Sequence, residues 1–279
     1  MRRRNFIAGL ASITVARPLA ARAQRPDRMR LIGAAAIDRE TCFAETGDVA
    51  ISACTRLIES GEFMGNSLAA IYFNRGVTWY DMGDHDRAIQ DYNEAIKVNP
   101  NFEQAFFNRG NAFDANEQLE RAIQDYDRAI ALKPDYAKAF NNRGYVYDKE
   151  GAFDRAVQDY DRAIALKPDY AKAFNNRAIS YAKKGQYDRA IQDYDQAIKL
   201  EPEYAEALNN RGTAYSERRE YDQAIQDYDR AIELNPSFAQ AFYNRGMAKL
   251  KSGDPDGGNA DIAAAKRINP ALLGNLSVP

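Results

Sequence analysis

The chain has 279 residues, 38 Lys and Arg against 40 Asp and Glu, a formal net charge of −2, one histidine and two cysteines. The acidic balance argues against nucleic acid as a partner. The single histidine, His85, reads as a packing residue of a turn; the sequence offers no nucleophile–histidine arrangement, no phosphate-binding glycine loop and no His-x-x-x-His metal pair.

The chain opens Met1-Arg2-Arg3-Arg4-Asn5-Phe6-Ile7, and an apolar stretch runs to Ala16. Ala21-Arg22-Ala23 then fits the small-x-small cleavage rule, with Gln24 as the first mature residue. Residues 1–23 read as a bacterial signal peptide. Arg3-Arg4-x-Phe6-Ile7 resembles the twin-arginine export motif; an ordinary Sec signal is the alternative. An uncleaved anchor is a third reading, but the apolar run is short of the ~20 residues that a span needs. Cleavage removes five arginines and takes the formal charge from −2 to −7. The expected location is the bacterial periplasm or the exterior, with no membrane span in the mature protein.

Residues 24–40 read as a flexible lead-in. The only cysteines follow, Cys42 and Cys54. In a short exported segment such a pair suggests one disulfide. Two free buried thiols are the alternative. A metal site is a poor fit without nearby His or clustered acids. Val49–Ile58 reads as a helix with Ala50, Cys54 and Leu57 on one face. Residues 41–68 therefore form a partial repeat, set apart by the loop Gly61–Ser67.

Proline then recurs every 34 residues, at Pro100, Pro134, Pro168, Pro202, Pro236 and Pro270. A fixed period of this length marks a stacked helix–turn–helix array. With proline at position 32, the units are 69–102, 103–136, 137–170, 171–204, 205–238 and 239–272, and 273–279 is a tail. Position 8 is glycine except at Ala178, position 27 is always alanine, and position 24 is tyrosine except at Ile262. Position 20 is alanine except at Gly258. Small residues at 8, 20 and 27 let two helices approach closely, and aromatics at 4 and 24 fill the space between them. Positions 20, 21, 24, 27 and 28 follow amphipathic helical spacing. Gly83, Gly151, Gly185 and Gly253 mark the turn, with Glu117 in the glycine's place in the second unit. Acids at position 18, from Asp86 to Asp256, suit an N-cap and the positive end of the helix dipole, and the proline stops the second helix. Gly257-Gly258 should weaken the last helix by ~1 kcal/mol per interior glycine, which predicts a frayed terminal unit. Residues 121–143 and 155–177 differ only at Ile123 and Val157, so their interfaces should be nearly interchangeable.

The small–large–small pattern ending in proline at period 34 resembles the tetratricopeptide repeat, across six full units. The resemblance implies an all-α, right-handed superhelical solenoid that binds protein segments in a concave groove. Position 6 of the first helix faces that groove in the family. Here it is always asparagine: Asn74, Asn108, Asn142, Asn176, Asn210 and Asn244. The ladder is similar to the one lining the repeats of O-linked N-acetylglucosamine transferase. Amides both donate to and accept from a peptide backbone; bonding of these amides to the backbone of neighbouring helices is the structural alternative. Positions 2, 5, 9 and 12 of the first helix are expected to line the same groove, and positions 2 and 5 add Lys138, Lys172, Phe73, Phe107 and Tyr243 to it. A carboxylate clamp of the chaperone-binding kind matches at Asn111, Asn142 and Lys172, but Phe107 and Asn176 stand where Lys and Arg belong.

Position 7 is arginine and position 23 aspartate in all six units. Each arginine is expected to lay its stem along the helix seam and pair with the aspartate, as Arg143 with Asp159. Such a pair predicts a small cost for Arg143→Met and a larger one for loss of Asp159 alone. An anion-binding arginine ladder is the alternative. Because carboxylates and arginines recur with the period, they belong to a scaffold or a repeated surface. No catalytic residues, metal or cofactor are expected. The expected function is a non-enzymatic scaffold that binds an extended peptide or protein tail. The alternatives are an envelope-complex subunit that docks through its terminal repeats with the groove unused, and a carbohydrate binder in the same groove. Little follows Pro270, so the last apolar face is expected to be exposed.

Overall fold

The computed structural model describes residues 25–273. The expected signal peptide and residues 274–279 lie outside them. Fourteen α-helices follow one another among the described residues, with no strand. α1 (Arg25–Ala44) and α2 (Gly47–Glu59) form the N-terminal cap. Six helix pairs follow: α3 (Gly65–Asp81) with α4 (His85–Val98), α5 (Glu103–Ala115) with α6 (Leu119–Leu132), and α7 (Ala137–Lys149) with α8 (Phe153–Leu166). Then come α9 (Ala171–Lys183) with α10 (Tyr187–Leu200), α11 (Ala205–Glu217) with α12 (Tyr221–Leu234), and α13 (Ala239–Ser252) with α14 (Pro255–Ile268). Odd helices are the first of each pair and even helices the second.

The pairs are held by one repeated contact. Tyr92, Tyr126, Tyr160, Tyr194 and Tyr228 are at most 2% exposed. Each ring lies against the small residue at position 8. A Cβ added to Gly144 would lie 2.9 Å from Tyr160 Cε1, and one on Gly110 would lie 2.8 Å from Tyr126 Cε1. Glycine here admits the ring, and the ring fixes the spacing of the two helices. On the other edge of the first four pairs an arginine covers an aromatic face: Arg87 over Trp79 at 3.6 Å, Arg121 over Phe113 at 3.9 Å, Arg155 over Tyr147 at 4.2 Å and Arg189 over Tyr181 at 3.9 Å.

Successive odd helices also touch one another, α3 with α5 and so on to α11 with α13, while the even helices make no comparable contact. The array therefore curves with its odd helices on the inside. It is the right-handed solenoid expected from the period.

Several local expectations change. The stretch 24–40, read as a flexible lead-in, is helical from Arg25 as part of α1. Ala35 packs on the cap core, and Asp38 pairs with Arg56 of α2 at 2.5 Å. The loop Gly61–Ser67 is shorter than its sequence suggests, because α3 starts at Gly65 and adds one turn to the first helix. The acids at position 18 lie in the first turn, and the N-cap is two residues earlier. Only Asp84 and Asp254 cap there with a side chain, accepting from Arg87 N and Gly257 N. The last unit is not frayed at its glycines. α14 is continuous, and a Cβ on Gly258 would lie 2.8 Å from Gly246 O. Gly258 is thus required by the close approach of α13 and α14.

The C-terminal face also differs from its expectation. Inner units carry Ile or Val at position 21 and Ile at position 28, whereas the last unit has Asn259 and Lys266, both exposed. The outer face of the last described unit is polar at its centre.

Candidate functional site

Each odd helix presents positions 2, 5, 6, 9 and 12 toward the inner face, and the asparagine ladder lies there. Its side chains form one hydrogen-bonded chain that spans the units. Asn111 donates to Asn108 at 3.4 Å, and Asn142 donates to Asn111 at 2.9 Å. Asn141 donates to Asn142 at 3.0 Å, and Asn176 to Asn141 at 3.1 Å. Asn175 then donates to Asn176, Asn210 to Asn175, Asn209 to Asn210 and Asn244 to Asn209, at 3.0–3.5 Å. Gln240 closes the series onto Asn244 at 2.8 Å. The inter-unit links run from position 6 of one unit to position 5 of the unit before. Unit 2 has Phe107 at position 5, and Asn111 at position 9 substitutes as acceptor.

The ladder therefore joins neighbouring helices through side-chain amides. An amide has two N–H groups and two acceptor sites, so the relay does not exhaust the half-buried members Asn108, Asn142, Asn210 and Asn244. Asn141, Asn175 and Asn209 are buried and serve the relay, and Asn176, expected in the groove, is buried with them at 7% exposure. Asn74 stands before the relay and is half-buried.

A cavity of about 410 Å³ opens on this face across α3, α5, α7 and α9. Tyr80, Asn111, Asp114, Tyr145, Lys172 and Asn176 line it, with Asn141 and Asn142 at its floor. Asp114 is bridged by Lys149 at 2.8 Å. That pairing leaves Lys172 as the cavity's amine with no ion-pair partner among the described residues. Tyr145 is 48% exposed, with Lys149 Nζ 5.9 Å from its ring centre.

The other expected groove residues divide. Lys138 is exposed one unit before Lys172. Phe73 packs between Tyr92 and Phe102, with ring centres 5.8 and 4.9 Å away. Phe107 packs likewise on Tyr126 and Tyr136. Both are part of the seam between units and are half-buried. Tyr243 is half-buried at the far end of the face. Tyr80, Asp114 and Tyr145 were not singled out by sequence, because positions 9 and 12 vary from unit to unit and carry no periodic signal.

The arginines at position 7 are engaged inside the fold. All six make paired hydrogen bonds to the aspartate at position 23, at 2.6–2.8 Å. Those aspartates are 5–7% exposed. The third nitrogen of each arginine reaches back to the preceding unit: Arg109 to Asn93, Arg143 to Asp127, Arg177 to Asp161, Arg211 to Asp195 and Arg245 to Asp229. Arg75 takes Thr55 of the cap at 2.9 Å. With its donors so placed, the arginine set is a clamp between units. The polar residue at position 25 had a period of its own that would have disclosed it.

One buried cluster breaks the period. Asp148 is 7% exposed and accepts from Ser180 Oγ at 2.7 Å and Tyr160 OH at 2.9 Å. Burial pushes its carboxyl above the ordinary value against the pull of these hydrogen bonds and of Lys183. It ties α7, α8 and α9 together below the cavity. His85 stacks on Tyr80 with ring centres 5.0 Å apart, as a packing residue of the first turn. The described residues hold no group of His, Cys, Asp and Glu placed to bind a metal ion.

Cys42 and Cys54 are 2% and 0% exposed and lie in disulfide geometry, with Cα atoms 4.9 Å apart.

Three models of one repeat match the chain in overlapping stretches. One tetratricopeptide repeat model covers 69–102, 137–170 and 205–238, and a second covers 91–124 and 159–192. A TPR repeat model covers 110–151 and 180–218. Together they run without a gap from 69 to 238.

The chain belongs to the tetratricopeptide repeat family.

Solved tetratricopeptide repeat structures share the fold. One from Parabacteroides merdae superposes with a TM-score of 0.68 at 18% identity, covering 89% of this chain and 96% of that one. PilW, a type IV pilus biogenesis factor, gives 0.64 at 19% identity, over 76% of this chain and 94% of PilW. YrrB, described as having an unusual peptide-binding site, gives 0.52 at 23% identity, over 64% of this chain and 92% of YrrB. No curated protein matches by sequence. Tetratricopeptide repeats are protein-interaction scaffolds, and no described helix is long and apolar enough to cross a membrane.

Proposed function

We propose that the inner face binds an extended peptide or protein segment, without catalysis, and that the cavity between α3 and α9 is its principal contact. The observation that carries this reading is the convergence there of Lys172, the exposed Tyr145 and the remaining valences of the amide relay. The amides offer both donors and acceptors to a peptide backbone. Tyr145 offers an apolar face, and Lys172 an anchor for an anionic or carbonyl group. The peptide-binding site of YrrB, on a shared fold, is consistent with this reading.

The leader sequence and the cysteine pair support export to the bacterial periplasm or beyond, with cleavage near Ala23. The second reading, an envelope subunit that docks through its last repeat, is weakened by the exposed Asn259 and Lys266 on that face.

The discriminating variant is Tyr145→Ala/Lys172→Ala, since both side chains are exposed and neither belongs to the amide relay. Partners recovered from a periplasmic fraction should be lost from this variant and kept by a chain truncated after Gly253, which lacks α14. Partners kept by the groove variant and lost by the truncation would support docking through the terminus.

A further inference from the structure

We propose that the N-terminal cap is a self-docking face, through which two copies of this chain pair by their α1 helices about a twofold axis. In the array each odd helix after the cap packs against the even helix before it. α1 has no such neighbour among the described residues, and from Ala36 to Phe43 it exposes apolar side chains beside Arg39 and Glu40. Ile37 is 66% exposed, Phe43 48%, and Met64 at the start of α3 81%. Beside α1 runs an apolar groove of about 590 Å³, with Ala36, Phe43 and Phe63 in its wall and Arg39, Glu40 and Glu62 at its edge. An exposed apolar patch with a charged rim marks an interaction surface.

The asymmetry of the two ends limits the partner. The C-terminal face carries exposed Asn259 and Lys266 where inner units carry branched aliphatics. A head-to-tail contact would have to bury these, so the array does not extend into a filament. A face that pairs only with itself gives a closed, isologous dimer.

The sequence of α1 is self-complementary in that arrangement. It reads Ala36-Ile37-Asp38-Arg39-Glu40-Thr41-Cys42-Phe43. In an antiparallel pair with the axis between residues 39 and 40, Arg39 of each copy faces Glu40 of the other, and Ala36 faces Phe43. Opposite charges and small-against-large side chains then meet twice each. Arg39 and Glu40 are exposed and form no ion pair within the described chain, whereas Asp38, on the inward side, is held by Arg56.

Sedimentation equilibrium on the full chain tests this. The wild type is expected to dimerise reversibly. Arg39→Glu or Glu40→Arg alone sets like charges opposite each other twice and should weaken the dimer at least tenfold, as should Phe43→Ser. The double variant Arg39→Glu/Glu40→Arg exchanges the charges and should restore the wild-type constant to within about threefold. Circular dichroism melts of all variants should coincide at a concentration where every form is monomeric, which separates pairing from folding. A wild type that is monomeric at every concentration overturns the proposal, whether the face is bare or covered by residues 1–24 of the same chain. A dimer indifferent to the single reversals, or a double variant that stays weak, overturns it equally.

Discussion

The Arg143 guanidinium holds aspartates from two units at once. It donates to both oxygens of Asp159 in its own unit, at 2.7 and 2.6 Å, and with its remaining nitrogen to Asp127 of the unit before. The same side chain therefore closes a helix pair and joins it to its neighbour. In a solenoid, where stability is the sum of unit and interface terms, Arg143 contributes to both. Burial opposes the guanidinium's charge, but Asp159 and Asp127 together raise its pKa above the ordinary value. Burial pushes the Asp159 carboxyl up against the pull of Arg143.

This geometry reverses an expectation drawn from the sequence. Arg143→Met leaves Asp159 buried without a partner and breaks the link to Asp127. Asp159→Asn leaves Arg143 with Asp127. The first should cost about 2–3 kcal/mol and the second about 1 kcal/mol. Urea denaturation of the two variants checks the order.

The turn offers a gain. Position 15 has positive φ in every unit, and glycine occupies it at Gly83, Gly151, Gly185 and Gly253, but Glu117 and Arg219 hold φ of 57° and 63°. Left-handed backbone disfavours a side chain and suits glycine. Glu117→Gly and Arg219→Gly should each stabilise by about 0.5–1 kcal/mol. Neither side chain makes a hydrogen bond or ion pair among those described, but Glu117 acts on the Lys149 charge, so Arg219 is the cleaner test. A fall in the denaturation midpoint for it would contradict the account.

The glycines at position 8 should tolerate one methyl and no more. Ala178 occupies the equivalent site in the fourth unit and is fully buried, so the Tyr ring can yield to a Cβ. Gly144→Ala should change stability by less than about 1 kcal/mol. Gly144→Val should cost about 2–3 kcal/mol through overpacking against Tyr160. Thermal melts distinguish the two.

Asp148 supplies a pH dependence. Its folded-state pKa lies above the unfolded value, so the fold favours the protonated carboxyl. That contribution is full below the ordinary Asp range, about 3.9, and is lost as pH rises through the folded-state value. Asp148→Asn does not titrate there and can still bond Ser180 and Tyr160. The wild type should therefore lose a few degrees of Tm relative to the variant between pH 4 and pH 7. A gap that does not change with pH would contradict the assignment.

How much of this was legible in the sequence follows from which contacts keep a constant offset. The Arg–Asp pairs recur 16 residues apart in all six units and the Tyr–Gly packing at the same offset in four of them, so the 34-residue period exposes both. The link from Arg143 to Asp127 also recurs, but it crosses between units and depends on how they stack. The amide relay is harder still. It needs position 6 of one unit to meet position 5 of the last, and two of those positions are Phe73 and Phe107. The helical lead-in of α1 shows no repeat pattern, because it packs through Ala35 and the Asp38–Arg56 pair. The cavity was not legible, since Tyr80, Asp114 and Tyr145 lie at variable positions.

The central claim is that the inner face holds a partner's extended segment. Site-specific photo-crosslinking tests it most directly, with a benzophenone amino acid at residue 145 on the inner face or at exposed residue 162 of α8 as control, in cells that export the protein. The account predicts an adduct from position 145 to one continuous segment of another protein, abolished by Lys172→Ala, and none from position 162. Adducts from position 162 or from the cap, with none from position 145, would contradict it.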